Sequence, residues 1–189
     1  MSLDALMLLI KNGLDAMNVD VKGNTISVKK YCGGDVEKVW MNIIEAKKHG
    51  IHVEITTLII PGLNDDKETL RNIAKRIKKV VGQEIPWHVT RYYPAYRSFE
   101  AGIYPDITPI EIIEEAWKIG KEIGLEYVYG GNIYGNPLEN TYCPSCNELL
   151  IERYGYDITK YLITADKRCP FCGKEIPITG QLTKGLDGK

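Results

Sequence analysis

IHVEITTLIIPGLNDDKETLRNIAKRIKKVV, residues 51–81, decides the fold. Its first ten residues are rich in β-branched side chains and read as a strand, ended by the turn Pro61-Gly62-Leu63-Asn64-Asp65. Asp65 with Glu68 three residues later offers a capping box, so the charged run that follows reads as a helix. Upstream, DVEKVWMNIIEAKKH (residues 35–49) is an amphipathic helix with Asp35 as N-cap and Gly50 as its stop. A helix, a strand and a helix joined by short turns define the unit, and the unit extends both ways. LDALMLLIKN (3–12) reads as a helix stopped by Gly13, and DAMNVDV (15–21) as a strand. IPWHVTRYY (85–93) is a third strand. A Tyr/Pro-rich loop follows, and Thr108, Pro109 and Glu111 promise a second capping box. That helix runs to about Gly124, before a fourth strand, LEYVYG (125–130). Strands separated by helices of this length imply right-handed βαβ units and a parallel sheet or barrel.

Parallel strands covered on both faces read as continuous apolar runs. Here three strands alternate instead. Asn18, Asp20 and Lys22, then His52, Glu54 and Thr56, then His88, Thr90 and Tyr92 share one side. Met17, Val19 and Val21, then Val53, Ile55 and Thr57, then Trp87 and Val89 share the other. A curved sheet or incomplete barrel, with helices outside and a polar concave face inside, explains this pattern. An open sheet with one solvated face, or one lacking the elements that would cover it, explains it too.

The length of 189 residues suits one medium domain with a small appendage. With 44% hydrophobic and 26% charged residues the chain can bury a core, and a net charge of -1 argues against a strong phosphate-binding field. No apolar run is long enough to span a bilayer, so no membrane association is expected. Five cysteines clustered as Cys-x-x-C fit a reducing interior, which makes the cytoplasm the expected location. Abundant Ile, Lys and Glu, with glutamine only at Gln83 and Gln181, lean toward a thermophile.

Two pairs, CPSC at Cys143 and Cys146 and CPFC at Cys169 and Cys172, are separated by a stretch with short apolar runs and a Gly-Tyr turn. Each pair presents two sulfurs on one knuckle, and two knuckles complete a tetrahedral shell for structural Zn²⁺. Gly173 suits the left-handed residue such a knuckle needs, and Asn147 is the usual substitute. Mononuclear iron, disulfides or a redox pair are the competing readings. With four protein ligands no coordination position stays open for catalysis, so the metal would supply folding energy to a small ribbon. Cys32 stands alone in KKYCGGD and reads as a buried or loop thiol. An independent hydrolase using Asp20 or His88 as base lacks a nucleophile–base pair at recognisable spacing.

The order and spacing of MNVDVKG, VEITTLIIPGLNDD, PWHVTRYYPAY, YVYGGN and YCPSC…LIERYGY…CPFCG resemble one family. It is the C-terminal half of radical S-adenosylmethionine (SAM) proteins of the AmmeMemoRadiSam type, related to pyruvate formate-lyase activating enzymes. The resemblance covers essentially the whole chain. It implies a partial (β/α) barrel, a 4Fe–4S cluster on a Cys-x-x-x-Cys-x-x-Cys loop after the first strand, SAM on the unique iron, and a glycine-rich loop after the second strand. On that resemblance NVDVK is the fourth barrel strand, with Asp20 and Lys22 near the methionine moiety of SAM. Thr56, next to Thr57, lies on the fifth strand at the level that contacts SAM, and His88 opens the sixth-strand motif on the nucleoside side. Arg91 and Tyr92 would face the substrate pocket, which for Arg91 needs a bulge or strand end because it is out of phase with His88.

The sequence contains neither the triple-cysteine motif nor a Gly-Gly-Glu-type loop. Its first helix looks like the family's third barrel helix, which implies an α/β half-barrel that starts mid-barrel and ends in a zinc ribbon. The expected divisions are 1–139 for the half-barrel, 140–180 for the ribbon and 181–189 for a flexible tail. Such a chain would be a truncated or split enzyme half, inactive alone, needing an upstream partner chain that carries the iron–sulfur half. The alternative is a binding module in which the ribbon contacts a protein or nucleic acid and the half-barrel is scaffold. Nucleic acid fits the neutral charge balance poorly, although Lys160, Lys167, Arg168 and Lys174 supply some charge. The bare strand edge of a half-barrel predicts homodimerisation through that edge or its covering by the N-terminal helix.

Overall fold

From Leu3 to Gly131 strands are separated by helices, two of them between the first and second strands, in the computed structural model, which describes residues 1–100, 102, 103 and 106–180. The expected tail, 181–189, lies outside the described residues. The elements are α1 (Leu3–Lys11), β1 (Ala16–Asp20), α2 (Thr25–Cys32), α3 (Val36–Lys48), β2 (His52–Ile59), α4 (Lys67–Val80), β3 (Trp87–Arg91), α5 (Ile110–Ile123) and β4 (Val128–Gly131). The four strands form one parallel sheet in the order β1-β2-β3-β4, with Asp20 beside Thr56, Thr56 beside His88 and His88 beside Tyr129.

The alternation in the strands sorts the two faces as physics requires. Val53, Ile55, Ile59, Trp87 and Val89 are buried against the helices together with Trp40, Ile43, Leu70, Ile77, Ile113 and Ile119. Thr57 sits on this apolar face because its hydroxyl is spent: it donates to the Val21 carbonyl (2.9 Å) and accepts from Trp87 Nε1 (2.9 Å). Gly120 lets α5 lie close on the sheet. A Cβ there would come within 2.8 Å of Val128 and 3.0 Å of the Trp87 ring.

Local signals fail in three instructive places. The cap of α4 is Asp66, which accepts from the Thr69 amide, while Asp65 instead accepts from the Gly62 amide and braces the turn. The cap therefore falls one residue later than the expected Asp65 and without the reciprocal Glu68 bond of a capping box, because two adjacent aspartates offer the same chemistry. The Thr108 cap does not form either. Thr108 is fully buried, donating to the Ile59 carbonyl (2.7 Å) and accepting from the Tyr92 amide (3.2 Å), so α5 starts at Ile110 without a side-chain cap. Helix α2 was not expected at all. Its β-branched Thr25, Ile26 and Val28 hide it, and it forms because Asn24 accepts from the Ile26 and Ser27 amides while Gly33 closes it at φ 63°. Cys32, the last residue of α2, is exposed.

After β4 a 3₁₀ turn (Pro137–Glu139) leads into an antiparallel sheet of β5 (Thr141–Tyr142), β6 (Leu149–Tyr154) and β7 (Asp157–Tyr161). Leu150, Ile151, Ile163 and Ile176 form its separate small core with Cys143 and Cys169. A reciprocal clasp binds this ribbon to the loop after β4. Gly135 lies under the Tyr154 ring and Gly155 under the Tyr134 ring, where a Cβ would stand 2.9 Å and 2.7 Å from ring carbons. The Glu139 carboxylate accepts from both glycine amides, at 2.8 and 3.5 Å.

Candidate functional site

The four cysteines converge from two knuckles. Cys143 Sγ lies 3.6 Å from Cys172 Sγ, Cys146 Sγ lies 3.6 Å from Cys169 Sγ, and all four sulfurs fall within 4.8 Å of one another. A tetrahedron with metal–sulfur bonds of about 2.3 Å has edges of about 3.8 Å, so the cage has the size of one metal ion. Asn147 (φ 60°) and Gly173 (φ 76°) take the left-handed position after each knuckle, and their amides donate to the Cys143 and Cys169 carbonyls at 2.9 Å. The Lys174 amide brings the Cys172 thiol down to about 7, while burial raises Cys143 and burial with the neighbouring sulfurs raises Cys146, so a single thiolate is favoured until a cation is bound. The four cysteines can bind a metal ion.

The polar face of the sheet makes the second site. It lines a cleft of about 650 Å³ whose opposite wall is the ribbon. Glu54, on β2, is its hub. His88 Nε2 donates to Glu54 Oε2 at 2.8 Å, from the next strand, and His52 Nε2 donates to Oε1 at 3.1 Å, from two residues earlier on the same strand. The His88 hydrogen bond, opposed by partial burial and aided by His52, holds the Glu54 carboxyl down at about 2. Glu54 is thus a permanent anion with both oxygens engaged. It orients two imidazoles rather than acting as a free base, and among the described residues each ring keeps Nδ1 unspent for binding or proton transfer.

The row continues across β4. The Tyr129 ring stacks on His88, with centroids 5.3 Å apart and planes 25° apart. Burial raises the Tyr129 hydroxyl above its ordinary range, and that hydroxyl shares a hydrogen bond with Thr141 Oγ1 at 3.1 Å. The guanidinium of Arg153, from ribbon strand β6, stands 5.6 Å from the Tyr129 ring centre. Asn18 and Thr56 join at the other end, Thr56 Oγ1 donating to Asn18 Oδ1 at 2.9 Å. Gly131 keeps the wall low, since a Cβ there would strike Thr90 Oγ1 at 2.7 Å.

The radical SAM superfamily model matches residues 1–76, from α1 into α4. The fold is like a domain of pyruvate-formate lyase-activating enzyme from Bacteroides vulgatus, with a TM-score of 0.57 and 14% identity over 69% of this chain and 74% of that one. A further relative, an uncharacterized protein of Methanocaldococcus jannaschii, is 43% identical over 166 residues, which are 87% of this chain and 49% of that protein. The chain spans about half the length of that relative. The α/β fold with a parallel four-stranded sheet, the activating-enzyme likeness and the cysteine cluster therefore stand together.

Within this fold the residues singled out from the sequence divide. Thr56 and His88 line the cleft. Asp20 and Lys22 do not line it; they pair with each other at 3.2 Å on and just beyond the end of edge strand β1. Arg91 ends β3 in register with Ile59, without a bulge, and its Nε donates to the Thr108 carbonyl at 2.6 Å. Tyr92 is buried with a hydroxyl that has no partner among the described residues. Both serve the 92–108 segment and lie outside the cleft lining. Of the ribbon cations, Lys167 donates to the Gly180 carbonyl, and Arg168 pairs with Asp166 while donating to the Gly173 carbonyl. These two are part of the ribbon's own scaffold.

Among the cleft residues without an earlier mark are Tyr127, Tyr129, Thr141 and Arg153. A signal for Glu54 existed, since the His52 and Glu54 spacing puts both on one face of a strand. Arg153 left none, because its place depends on how the ribbon docks. No helix of the described residues is long and apolar enough to cross a membrane.

Proposed function

We propose that this chain supplies the SAM- and substrate-facing wall of a radical SAM enzyme whose cluster-binding cysteines lie outside these 189 residues. The observation that carries the reading is the polar row Asn18, Glu54, Thr56, His88 and Tyr129, on the inner side of a sheet whose strands β1 and β2 fall within radical SAM sequence. The residues present do not fit a 4Fe–4S cluster. Four sulfurs around one metal-sized cage leave no iron free for SAM, and Cys32 is alone at the end of α2. No step through the cluster is derived from this chain. SAM, when bound, would supply radical chemistry, and Thr56 and His88 are the described residues of this wall that would meet it. The cysteine cage is read as a structural zinc site, which together with the one other thiol, Cys32, favours a reducing compartment.

Two features support a missing half rather than a self-sufficient enzyme. Among the described residues no strand pairs with the outer edge of β1, whose residues are half-buried or exposed, and the cleft wall is formed by one sheet and the ribbon alone. The β1 edge is the place where the cluster-bearing strands, or a second copy of this chain, would add. Anaerobic reconstitution with ferrous iron and sulfide tests the reading. The chain alone should take up no acid-labile sulfide, and co-expression with a segment bearing Cys-x-x-x-Cys-x-x-Cys should give a cluster with sulfide. A sulfide-containing cluster on this chain alone overturns it.

A further inference from the structure

We propose that Arg153 forms an oxyanion subsite in the cleft, taking a terminal carboxylate or phosphoryl group of the substrate. This rests on the reading of the cleft as the substrate-facing wall, and it assigns that site a ligand class.

The argument is a balance of donors and acceptors. Each carboxylate that lines the cleft already accepts a hydrogen bond from within the protein. Glu54 holds two imidazoles, Asn18 Oδ1 holds Thr56, Glu84 holds Lys47 at 2.9 Å, and Glu139 holds the amides of Gly135 and Gly155. Donors are left over. Arg153 spends only Nη1, on the Glu139 carbonyl (3.0 Å) and Thr141 Oγ1 (2.8 Å). Among the described residues its Nε and Nη2 have no hydrogen-bond partner and no carboxylate pairs with it. The Tyr127 hydroxyl, also of the cleft lining, is buried and makes no hydrogen bond among the described residues. A cleft with unspent donors and engaged carboxylates selects a ligand rich in acceptors.

The geometry of Arg153 sharpens this to an oxyanion. Two hydrogen bonds through Nη1 and the Tyr129 ring at 5.6 Å fix the guanidinium, so little freedom remains to be lost on binding. Nε and Nη2 of a guanidinium share one edge and present two parallel N–H bonds, the spacing a carboxylate or phosphate accepts. A half-buried guanidinium without a counter-charge is itself costly, and an anionic ligand removes that cost. Because Arg153 belongs to β6, the ribbon then does more than cap the fold. It supplies the recognition group, and the sheet supplies the oriented imidazoles opposite.

The test uses the full metal-loaded chain and two probes, inorganic phosphate and succinate. The Arg153 Nε–H resonance is followed by ¹⁵N NMR during each titration. Saturable movement with one probe is expected, and which probe binds decides between phosphoryl and carboxylate ligands. Arg153→Lys, which keeps the charge and loses the fork, should bind that probe about tenfold or more weakly, the weight of one charge-assisted hydrogen bond. Arg153→Gln should abolish binding. Metal content and the ribbon amide fingerprint check that each variant stays folded, and the wild-type titration needs no variant at all. No saturable shift with either probe, or equal affinity in Arg153→Lys, overturns the subsite. Saturable binding that Arg153→Lys weakens establishes the subsite whatever cluster reconstitution shows, so the two readings fail separately.

Discussion

Asn64 is the residue on which the reading of the 51–81 stretch can be tested most sharply. It is fully buried in the turn after β2. Its Oδ1 accepts from the Ile60 amide at 2.7 Å, and its Nδ2 donates to the carbonyls of Lys22 at 3.0 Å and Leu58 at 2.9 Å. One side chain thus closes the turn and ties the segment after β1 to the end of β2. Asn64→Ala leaves three backbone groups without partners. At about 1 kcal/mol each, the low end for buried groups that water partly reaches, the loss is about 3 kcal/mol. For a chain of this size that lowers the melting temperature by about 6–12 °C. Asn64→Asp separates hydrogen bonding from shape. At neutral pH it sets a second carboxylate oxygen against two carbonyl oxygens, so it should cost more than alanine. The charged form is disfavoured in the folded state, which raises the folded pKa of that carboxyl above its unfolded value of about 3.9. Its protonated form therefore stabilises the variant below about pH 4, and that stability is lost as pH rises through the raised folded value. Urea unfolding of the metal-loaded chain at pH 7 and pH 4, followed by tryptophan fluorescence, measures both effects. An Asn64→Ala variant within 0.5 kcal/mol of wild type, or an Asn64→Asp variant more stable than alanine at pH 7, refutes the argument.

Three other outcomes follow from the site. The chain should bind one zinc equivalent, and Cys169→Ser should lose it and unfold the ribbon while leaving the far-ultraviolet signal of the helices; retention of the metal by that variant would contradict a four-thiolate cage. Glu54 has a folded carboxyl at about 2 against an ordinary 4.5, so its contribution to stability is present above about pH 4.5 and lost as pH falls toward 2. Unfolding free energies measured across that window should fall more steeply in wild type than in Glu54→Gln, and parallel slopes would exclude the His52 and His88 bonds as the cause. The Tyr127 hydroxyl is buried without a partner among the described residues, so Tyr127→Phe should be neutral or stabilising in thermal unfolding. A loss above about 1 kcal/mol would mean that the hydroxyl has a partner in solution.

Periodicity carried most of the sheet into view. The alternation in residues 52–57 and 87–90 gave both the strands and their buried face, because an internal strand packed on helices leaves that pattern whenever its other side is polar. The knuckles were legible for the same local reason, down to Asn147 and Gly173 at positive φ. What escaped needed distant partners. Thr108 has the sequence position of a cap, yet the Ile59 carbonyl, 49 residues away, takes its hydroxyl. Asp20 and Lys22 share strand phase with Asn18, but β1 ends at Asp20 and the two charges settle on each other at 3.2 Å. Periodicity names a face; it does not say where along the strand the cleft stops. Arg153 lies beyond local reading altogether, since its environment is set by a clasp between Gly135, Gly155 and two tyrosines from separate elements.

That clasp changes what the ribbon means for the fold. A metal centre with four protein ligands is closed to chemistry, which by itself suggests a staple. Yet the strand it stabilises, β6, presents Arg153 to the Tyr129 ring, and Tyr129 stacks on the imidazole that Glu54 orients. The contacts form one chain from the ribbon to the hub of the cleft. Loss of the metal would free β6, remove the guanidinium from Tyr129 and open one wall, without touching His88 or Glu54 directly. The cysteines are therefore placed to govern the cleft through architecture. Their effect should appear as a loss of anion binding that follows metal content, while the Glu54–His88 bond, built within the sheet, persists.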